Sequence, residues 1–168
     1  MGDTFYMLFP LCSGGELYEA VIKRGHFTEF DAACLIRDLI SAISELHKRD
    51  ILHLDIKPEN ILFESEAADA RIKLTDFGLA KNYNLNTKKS SLSSFKDRIA
   101  VEELTKALKL FLDVGELQYE NVRGTVGYMS PELILANVCS KAADVWAAGV
   151  VLFILLSGMP PFHSRSNR

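Results

Sequence analysis

The longest apolar run in the sequence extends from Val145 to Leu156 and is bordered by Asp144 on one side and by Ser157 and Gly158 on the other. At about 12 residues it is too short for a membrane helix, which needs about 20. A helix that is apolar on every face must instead be surrounded by other elements of a protein core. The sequence therefore predicts a globular domain large enough to bury this helix, without a membrane span.

The amino-acid composition is that of one folded domain. The chain of 168 residues is 48% hydrophobic and 24% charged, with a formal net charge of −3, which gives no electrostatic reason to expect nucleic acid as a partner. The three cysteines, Cys12, Cys34 and Cys139, are odd in number and widely spaced, which predicts free thiols rather than disulfides or a zinc site. Because no signal peptide is visible, we expect a cytoplasmic location, with the nucleus as the alternative.

Helix and strand signals in the first half of the chain indicate a mainly α fold with a small β hairpin region (α+β). A strand-like segment at 5–8 precedes a capping box formed by Ser13 and Glu16, which predicts a helix that ends near Gly25. Thr28 opens a second helix that runs to about Lys48. Three short strand-like pieces then predict a hairpin-like sheet, at 51–53, 61–63 and 71–75.

The second half contains signals for two further helices and a long polar loop. Ser130 followed by Pro131 predicts a capped helix start, and Ser140 opens the apolar helix. The stretch 82–121 is polar and loop-like, but residues 101–112 form one amphipathic face. Four interpretations of that face stay open: docking on a partner, docking on the domain itself, local packing, and translated sequence that does not fold.

Two short motifs in the middle of the chain supply the groups that phosphoryl transfer requires. They are His53-Leu-Asp-Ile-Lys-Pro-Glu-Asn60 and Thr75-Asp-Phe-Gly78. Transfer of a phosphoryl group to a hydroxyl needs a carboxylate that orients the hydroxyl, a cation beside the transferred group and oxygen ligands for Mg²⁺. The predicted groups are, in that order, Asp55, Lys57, and the pair Asn60 and Asp76.

These motifs, in this order, resemble the eukaryotic protein kinase family. The run Gly124-Thr-Val-Gly-Tyr-Met-Ser-Pro-Glu132 resembles the end of a kinase activation segment, with Ser130 where the family usually has alanine. The run from Asp144 to Gly149 resembles the start of the family's buried central helix. Because the Lys57-Pro-Glu-Asn60 version of the loop is similar to that of serine/threonine kinases, the resemblance implies transfer of the ATP γ-phosphate to serine or threonine hydroxyls of a protein substrate, with Mg²⁺ as the metal.

The resemblance also implies roles for further residues. The gatekeeper is Phe9, the hinge runs from Pro10 to Cys12, Glu16 lies near the ribose and Leu62 lies under the adenine. The implied ATP-binding set also includes Glu59 and Thr75. Activation-segment or structural roles are implied for His53, Phe77, Gly78, Thr125, Glu132 and Asp144.

The runs His53-Leu-Asp-Ile-Lys-Pro-Glu-Asn60 and Gly14-Gly-Glu-Leu-Tyr18 resemble the calcium/calmodulin-dependent group, in particular myosin-light-chain-type kinases. This resemblance implies calmodulin as a partner of a complete protein. Leu54 stands where most kinases have an arginine that receives an activation-loop phosphate. Without that cation, regulation by loop phosphorylation is expected to be weak.

The resemblance covers the middle of a kinase domain. Residues 1–168 run from the hinge to the central helix, without a Gly-rich loop or its lysine-bearing strand, so the implied fold is a kinase C-terminal lobe with the N-terminal lobe absent. The stretch between Gly78 and Ser130 is longer than most activation segments, which predicts an insertion at 84–121. We therefore expect this chain to be inactive alone.

Two functions stay open at this point. The first is a serine/threonine protein kinase of which this chain is a truncated form, and the second is a catalytically inert kinase-like fragment that acts as a binding or regulatory module. The presence of Asp55, Lys57, Asn60 and Asp76 favours the enzyme, because an inert module has no need of the base and both metal ligands. The missing lobe favours the inert module.

Overall fold

The computed structural model describes residue 4 and the ranges 6–83, 125–136 and 139–162. In these ranges, helices α1 to α4 span Leu17–Arg24, Glu29–Lys48, Pro131–Ala136 and Lys141–Ser157, and strands β1 to β4 span Ile51–Leu52, Ile61–Phe63, Ile72–Leu74 and Lys81–Asn82. The predicted mainly α fold with a small β region is confirmed. The predicted insertion at 84–121 and its amphipathic stretch lie outside the described residues.

The strands form two separate antiparallel pairs. Strand β2 pairs with β3 as a hairpin in which Ile61 lies opposite Leu74, as the apolar pieces of the sequence predict. Strand β1 pairs with β4, with Leu52 opposite Lys81. No local signal predicts β4, because both of its side chains are polar and exposed. Its strand character comes only from the backbone bonds to β1.

The core lies between α2 and α4. The Thr28 side chain caps α2 by accepting a hydrogen bond from the Asp31 backbone at 3.1 Å, which confirms the predicted start of this helix. Leu39 and Ile43 of α2 are fully buried in the same cluster as Val151 and Leu155 of α4. These four side chains bring the two longest described helices together and thereby fix the floor on which the central motifs lie.

The ends of α1 and α4 approach each other closely. Both helices end in a glycine with positive φ, Gly25 at 78° and Gly158 at 73°. A Cβ atom on Gly158 would collide with the carbonyl oxygen of Gly25, and the Phe27 backbone donates to the Leu155 carbonyl at 2.7 Å. Glycine is therefore required at position 158 for two reasons, its conformation and its lack of a side chain.

The predicted capping box at Ser13 and Glu16 is wrong. Helix α1 begins at Leu17, with Glu16 as an N-cap residue whose side chain makes no capping bond. The backbone N–H groups of Ser13 and Gly14 donate instead to residues of the β2 end, Glu64 at 3.3 Å and Phe63 at 3.2 Å. These backbone bonds to the hairpin keep Ser13 out of the helix.

The predicted strand at 5–8 is also absent from the described residues. Tyr6, Met7 and Leu8 are 87%, 81% and 99% exposed and belong to no regular element. A strand needs a partner for its backbone groups, and the described residues place none beside this segment.

Helix α4 is buried on one side and not on every face as predicted. Ala147, Val151 and Leu155 face the core, whereas Val145 and Phe153 are 52% and 48% exposed. The apolar run therefore has an unpartnered face in the described part of the chain. None of the helices described has the combination of length and apolar character that a membrane crossing requires.

Ser130 provides a prediction about stability. Helix α3 begins at Pro131 as predicted, but the Ser130 hydroxyl is fully buried and forms no hydrogen bond with the described residues, so it does not cap the helix. Because a buried hydroxyl without a partner is destabilising, Ser130→Ala should raise the free energy of unfolding by about 1 kcal/mol. Chemical denaturation of both proteins measures this difference, and an equal or lower stability of the alanine form would show that the hydroxyl has a partner.

Candidate active site

The segment that carries the first motif is held in place by one buried carboxylate on α4. Asp144 is 1% exposed, and its side chain accepts hydrogen bonds from the backbone N–H groups of His53 at 3.0 Å and Leu54 at 2.8 Å. The His47 side chain on α2 donates to the same carboxylate at 2.8 Å. Asp144 thus connects α2, α4 and the loop after β1. The structural role that the resemblance implies for it stays a prediction.

The same loop contains a backbone conformation that non-glycine residues rarely adopt. Leu54 has a φ of 65°, in the left-handed region. Its side chain packs into a small cluster with Leu52 and Ala143, beside Tyr83 and Cys139. Burial of the Leu54 side chain and the hydrogen bond from its N–H to Asp144 together stabilise this unfavourable conformation. As a result, the next residue, Asp55, faces the other motif residues.

The Asp55 carboxylate lies at the centre of a group of donors. Its Oδ2 atom lies 3.0 Å from Lys57 Nζ and accepts a hydrogen bond from Asn60 Nδ2 at 3.1 Å. Its Oδ1 atom accepts from both the backbone N–H and the hydroxyl of Thr125, each at 3.2 Å. Lys57 Nζ also donates to the Thr125 hydroxyl at 2.9 Å. The structure therefore brings Asp55, Lys57, Asn60 and Thr125 together as one polar cluster.

These donors determine the charge of Asp55. Burial raises the pKa of this carboxyl, but the hydrogen bond and positive charge of Lys57, with the hydrogen bonds from Thr125 and Asn60, outweigh burial, so the pKa lies below its ordinary value of 3.8. Asp55 is therefore ionised at neutral pH. A carboxylate with a low pKa is a weak base that orients a hydroxyl and accepts its proton only as the hydroxyl reacts.

The second motif is joined to the first through Thr75. Its carbonyl accepts a hydrogen bond from His53 Nε2 at 3.0 Å, and its hydroxyl and N–H donate to the Asn60 carbonyl at 3.1 and 2.9 Å. The Phe77 ring lies 5.0 Å from the His53 ring, centroid to centroid. Thr75 therefore links the two motifs through hydrogen bonds. Its implied contact with ATP stays a prediction.

The contacts of His53 fit the neutral imidazole. Nε2 donates to Thr75, while Nδ1 accepts a long bond from the Asp55 N–H at 3.3 Å. Burial lowers the pKa of His53 below its ordinary value of 6.5, although the Thr75 carbonyl and the charges of Asp144, Asp55 and Asp76 partly offset this effect. Protonation would place two N–H groups face to face, because Nδ1 would then have a proton directed at the Asp55 amide.

This lowered pKa predicts a loss of stability in mild acid. The unfolded chain binds a proton at His53 below pH 6.5, whereas the folded chain binds it only at a lower pH, so the free energy of unfolding should fall as the pH falls below 6.5. Thermal unfolding across this range should show a steeper loss for the parent chain than for His53→Gln. His26→Gln is the matched control because His26 is exposed; identical pH profiles of the parent chain and His53→Gln would contradict the assignment.

Asn60 and Asp76 were predicted as metal ligands, and their oxygens fit that role. The Asn60 amide nitrogen is used by Asp55, which leaves its side-chain oxygen for another ligand. Asp76 is exposed, with a φ of 59°, and one of its oxygens accepts from the Gly78 N–H at 3.1 Å. The described residues contain no cluster of three His, Cys, Asp or Glu side chains that could hold a metal, so Mg²⁺ held here would take its remaining ligands from phosphates and water.

Glu59 has an unusual environment within the described part of the chain. Its Oε2 atom is buried and accepts no hydrogen bond there. Its negative charge raises the pKa of Tyr128, although burial of the tyrosine is the larger cause. A buried carboxylate oxygen without a donor is available to a donor from a bound molecule. The contact with ATP that the resemblance implies for Glu59 stays a prediction.

The remaining implied ATP-binding residues lie outside the polar cluster. Glu16 and Leu62 are joined by a β-bridge, which places the implied ribose and adenine contacts side by side. Phe9 is 77% exposed, Pro10 is exposed and Cys12 is a half-buried free thiol. None of these three forms a hydrogen bond within the described ranges, and their roles stay predictions.

Two bracing residues, His47 and Lys141, were not among the residues that the sequence predicted for the site. The His47 side chain on α2 bonds to Asp144. Lys141 Nζ donates to the His47 carbonyl at 2.6 Å and to Asp50 Oδ1 at 3.1 Å, and so joins α4 to the end of α2. Sequence spacing does not predict such contacts, because the partners are more than 90 residues apart in the chain.

Glu132, which the resemblance assigns to the activation segment, lies half-buried in the first turn of α3 without an ion-pair partner in the described part.

Comparison with known proteins agrees with this geometry. A family profile described as "Protein kinase domain" matches residues 1–168. The chain is 39% identical over 163 residues to a calcium and calcium/calmodulin-dependent serine/threonine-protein kinase of Oryza sativa subsp. japonica. It is 35% identical over 163 residues to a calcium/calmodulin-dependent serine/threonine-protein kinase of Malus domestica, and 32% identical over 162 residues to calcium/calmodulin-dependent protein kinase type 1 of Caenorhabditis briggsae.

The coverage of these matches is asymmetric. They include 97%, 97% and 96% of this chain but only 26%, 32% and 37% of the respective relatives. The resemblance to calcium/calmodulin-dependent serine/threonine kinases, over part of their length, is therefore confirmed. The chain belongs to the protein kinase family, as part of a kinase domain of the serine/threonine type.

Proposed function

We propose that residues 1–168 form the C-terminal lobe, from hinge to central helix, of a kinase that transfers the γ-phosphate of ATP to serine or threonine hydroxyls of proteins. The observation that carries this proposal is the Asp55 carboxylate, ionised and held by Lys57, Thr125 and Asn60. Family membership supports the use of ATP and Mg²⁺. We extend the proposal to a cytoplasmic or nuclear location and to calmodulin as a partner of a longer protein.

The residues of the cluster divide the work of the reaction between them. Bound MgATP supplies the phosphoryl group and neutralises part of its charge. Asp55 accepts a hydrogen bond from the substrate hydroxyl and takes its proton as the hydroxyl oxygen attacks. Lys57 uses two of its three hydrogens on Asp55 and Thr125, which leaves the third for an oxygen of the transferred group. Asn60 and Asp76 would hold Mg²⁺.

The proposal concerns a polypeptide in which the rest of a kinase domain accompanies this chain. The chain spans 26% of its rice relative, and transfer requires groups on both sides of the nucleotide that fix the phosphates and exclude water. We expect residues 1–168 alone to transfer no measurable phosphate.

A catalytically inert binding module is the second candidate. It is favoured by the apolar residues that the described part of the chain leaves exposed, among them Leu8 at 99% and Leu11 at 90%. Such side chains suit a surface that another protein covers. The intact polar cluster around Asp55 argues against this candidate, because an inert module needs no ionised base.

A segment swap distinguishes the two candidates. In the rice relative, the stretch that matches this chain over 163 residues is replaced by this chain, and the swapped kinase is assayed with Mg²⁺, ATP and a basic peptide that contains one serine. We expect serine phosphorylation that needs Mg²⁺, and little with a tyrosine in place of the serine. A folded swapped kinase that transfers nothing, while the parent kinase is active, would favour the inert module.

Leu54 provides a prediction about regulation of the swapped kinase. Its side chain is 9% exposed in an apolar cluster with Leu52 and Ala143, and so supplies no cation for a phosphate on the segment that precedes Thr125. Treatment with a protein phosphatase should therefore leave the rate within about twofold of the untreated rate. Loss of activity after this treatment would show that a phosphate orders the site from another side.

A further inference from the structure

We propose that Lys81 and Cys139 form a redox-sensitive pair, in which a peroxide oxidises the Cys139 thiol and the Lys81 amine then bonds to its sulfur. Lys81 Nζ lies 3.5 Å from Cys139 Sγ and donates to it. The product is a covalent link between strand β4 and the residue before Ser140, the N-cap of α4. Neither residue belongs to the predicted catalytic, metal or ATP-binding set, so the inference does not depend on phosphoryl transfer.

The fold brings these two side chains together from elements that are distant in the sequence. Leu52 of β1 lies opposite Lys81 of β4 in the antiparallel pair. The same leucine is fully buried in the small cluster against which Cys139 packs, together with Leu54 and Ala143. The contact between nitrogen and sulfur therefore follows from packing between β1, β4 and the start of α4, and both residues are anchored by their neighbours.

The amine of Lys81 is available to Cys139. Four of the other described lysines form ion pairs with carboxylates, whereas Lys81 forms none with a described residue. Lys141 is closer to Cys139 in sequence, but its Nζ donates to the His47 carbonyl at 2.6 Å and to Asp50 at 3.1 Å. Because Lys81 is exposed and its side chain is long and flexible, its nitrogen can approach the sulfur further.

Cys139 differs from the other two cysteines in its surroundings. All three thiols are free and half-buried, so each has some surface that a small oxidant can reach. Within the described residues, Cys139 is the one whose sulfur accepts from a lysine. The cluster that holds Cys139 contains neither Cys12 nor Cys34. The neighbouring nucleophile is therefore the Lys81 amine and not a second thiol.

The chemistry is a condensation that follows oxidation by hydrogen peroxide. The Cys139 thiolate attacks one peroxide oxygen, so that the S–O bond forms, the O–O bond breaks and the departing hydroxide takes a proton to become water. Sulfur is oxidised and the peroxide is reduced by the same electron pair. The Lys81 amine, after it has released a proton to solvent, attacks the sulfenic sulfur. The N–S bond forms, the S–O bond breaks, and hydroxide leaves as water with a second proton from the nitrogen.

The bridge has a consequence for the segment between its two ends. Lys81 and Cys139 are 58 positions apart, and the loop that the bridge closes includes Thr125, whose backbone and hydroxyl contact Asp55. A cross-link over such a loop lowers the conformational entropy of the unfolded chain and so stabilises the folded one. We therefore expect the oxidised chain to resist heat better than the reduced chain.

Peptide mapping of the full chain of 168 residues tests the bridge. The chain is treated with hydrogen peroxide in mildly alkaline buffer, its remaining thiols are blocked, and it is digested for mass spectrometry. We expect a linked pair of peptides that contain Lys81 and Cys139, with their combined mass less two hydrogens, and no such pair after treatment with dithiothreitol. Lys81→Arg should give at least about tenfold less of this product, because a guanidinium stays protonated.

Matched variants separate this pair from other thiols and amines. Cys139→Ser should abolish the product. Cys34→Ser and Lys73→Arg make the same kinds of change at another half-buried cysteine and another exposed lysine, and should leave the yield within about twofold. Circular dichroism confirms that all four variants are folded.

Thermal unfolding provides a second measurement. Peroxide should raise the Tm of the parent chain by at least about 5 °C, and dithiothreitol should reverse this shift. The Tm of Lys81→Arg should not rise after the same treatment, because its arginine cannot form the bridge.

Several results would overturn the proposal. They are no linked product at any peroxide concentration, an equal yield of the product from the parent chain and from Lys81→Arg, and oxidation of Cys139 to its sulfinic acid at the same rate in both. A disulfide from Cys139 to Cys12, to Cys34 or to a second copy, formed in place of the bridge, would assign a thiol as its partner instead. A linked pair that persists in dithiothreitol would contradict a bond between nitrogen and sulfur.

Discussion

Replacing Asp144 with alanine is expected to lower the free energy of unfolding by about 3–5 kcal/mol, the range for removing one partner of a buried charged interaction. The carboxylate is 1% exposed and accepts three hydrogen bonds, from the backbone of His53 and Leu54 and from the His47 ring. Alanine would leave these three donors buried without an acceptor. The hydrogen bond from α4 that helps to keep Leu54 at positive φ would also be lost.

Chemical denaturation followed by circular dichroism measures this effect. Asp69→Ala is the matched control, because it removes an exposed carboxylate from the β2–β3 loop and should change stability by no more than about 0.5 kcal/mol. Hydrogen exchange at the His53 and Leu54 amides gives an independent measurement, and exchange should accelerate in Asp144→Ala. Equal stability of the two variants would mean that Asp144 does not hold the loop.

Asp55→Asn in the swapped kinase is expected to lower kcat by a factor of about 10²–10⁴, the usual contribution of a positioned acid or base. Asparagine keeps the size of the side chain and can still accept from Lys57 or Thr125, but it is neutral and cannot take the hydroxyl proton. Because Asp55 makes no predicted contact with the nucleotide, KM for ATP should change by less than about threefold.

Two further variants separate catalysis from nucleotide binding. Asp76→Ala removes a proposed Mg²⁺ ligand and should weaken binding of the Mg²⁺–ATP complex as well as turnover. Asp69→Asn changes an exposed carboxylate outside the site and should leave both kcat and KM within about twofold. Loss of nucleotide binding in Asp55→Asn would assign this residue to the nucleotide rather than to the hydroxyl.

The fold could be predicted where local chemistry decides the structure. The Thr28 cap, the glycine end of α1 and the apolar residues of β2 and β3 are properties of short segments, and the structure has all three. The prediction of a capping box at Ser13 failed because backbone bonds to residues 63 and 64, distant in sequence, override a local preference. Strand β4 was missed for the same reason.

The candidate site follows the same division. Asp55, Lys57, Asn60 and Thr75 lie in two motifs whose spacing could be recognised, and the structure joins them by hydrogen bonds. The contact of Thr125 with Asp55 spans 70 residues, and that of His47 with Asp144 spans 97. Resemblance to a family named Thr125 and Asp144 in advance, but not His47 or Lys141. Local sequence patterns do not predict contacts between residues that are so far apart in the chain.

The initial rate of serine-peptide phosphorylation by the swapped kinase and by its Asp55→Asn form, measured side by side with Mg²⁺ and ATP, is the most direct test of the proposed site. We expect the parent form to transfer phosphate to the serine and the Asp55→Asn form to be at least about 100-fold slower at saturating ATP. Equal rates in the two folded proteins would contradict the assignment of Asp55, and with it the catalytic role proposed for this chain.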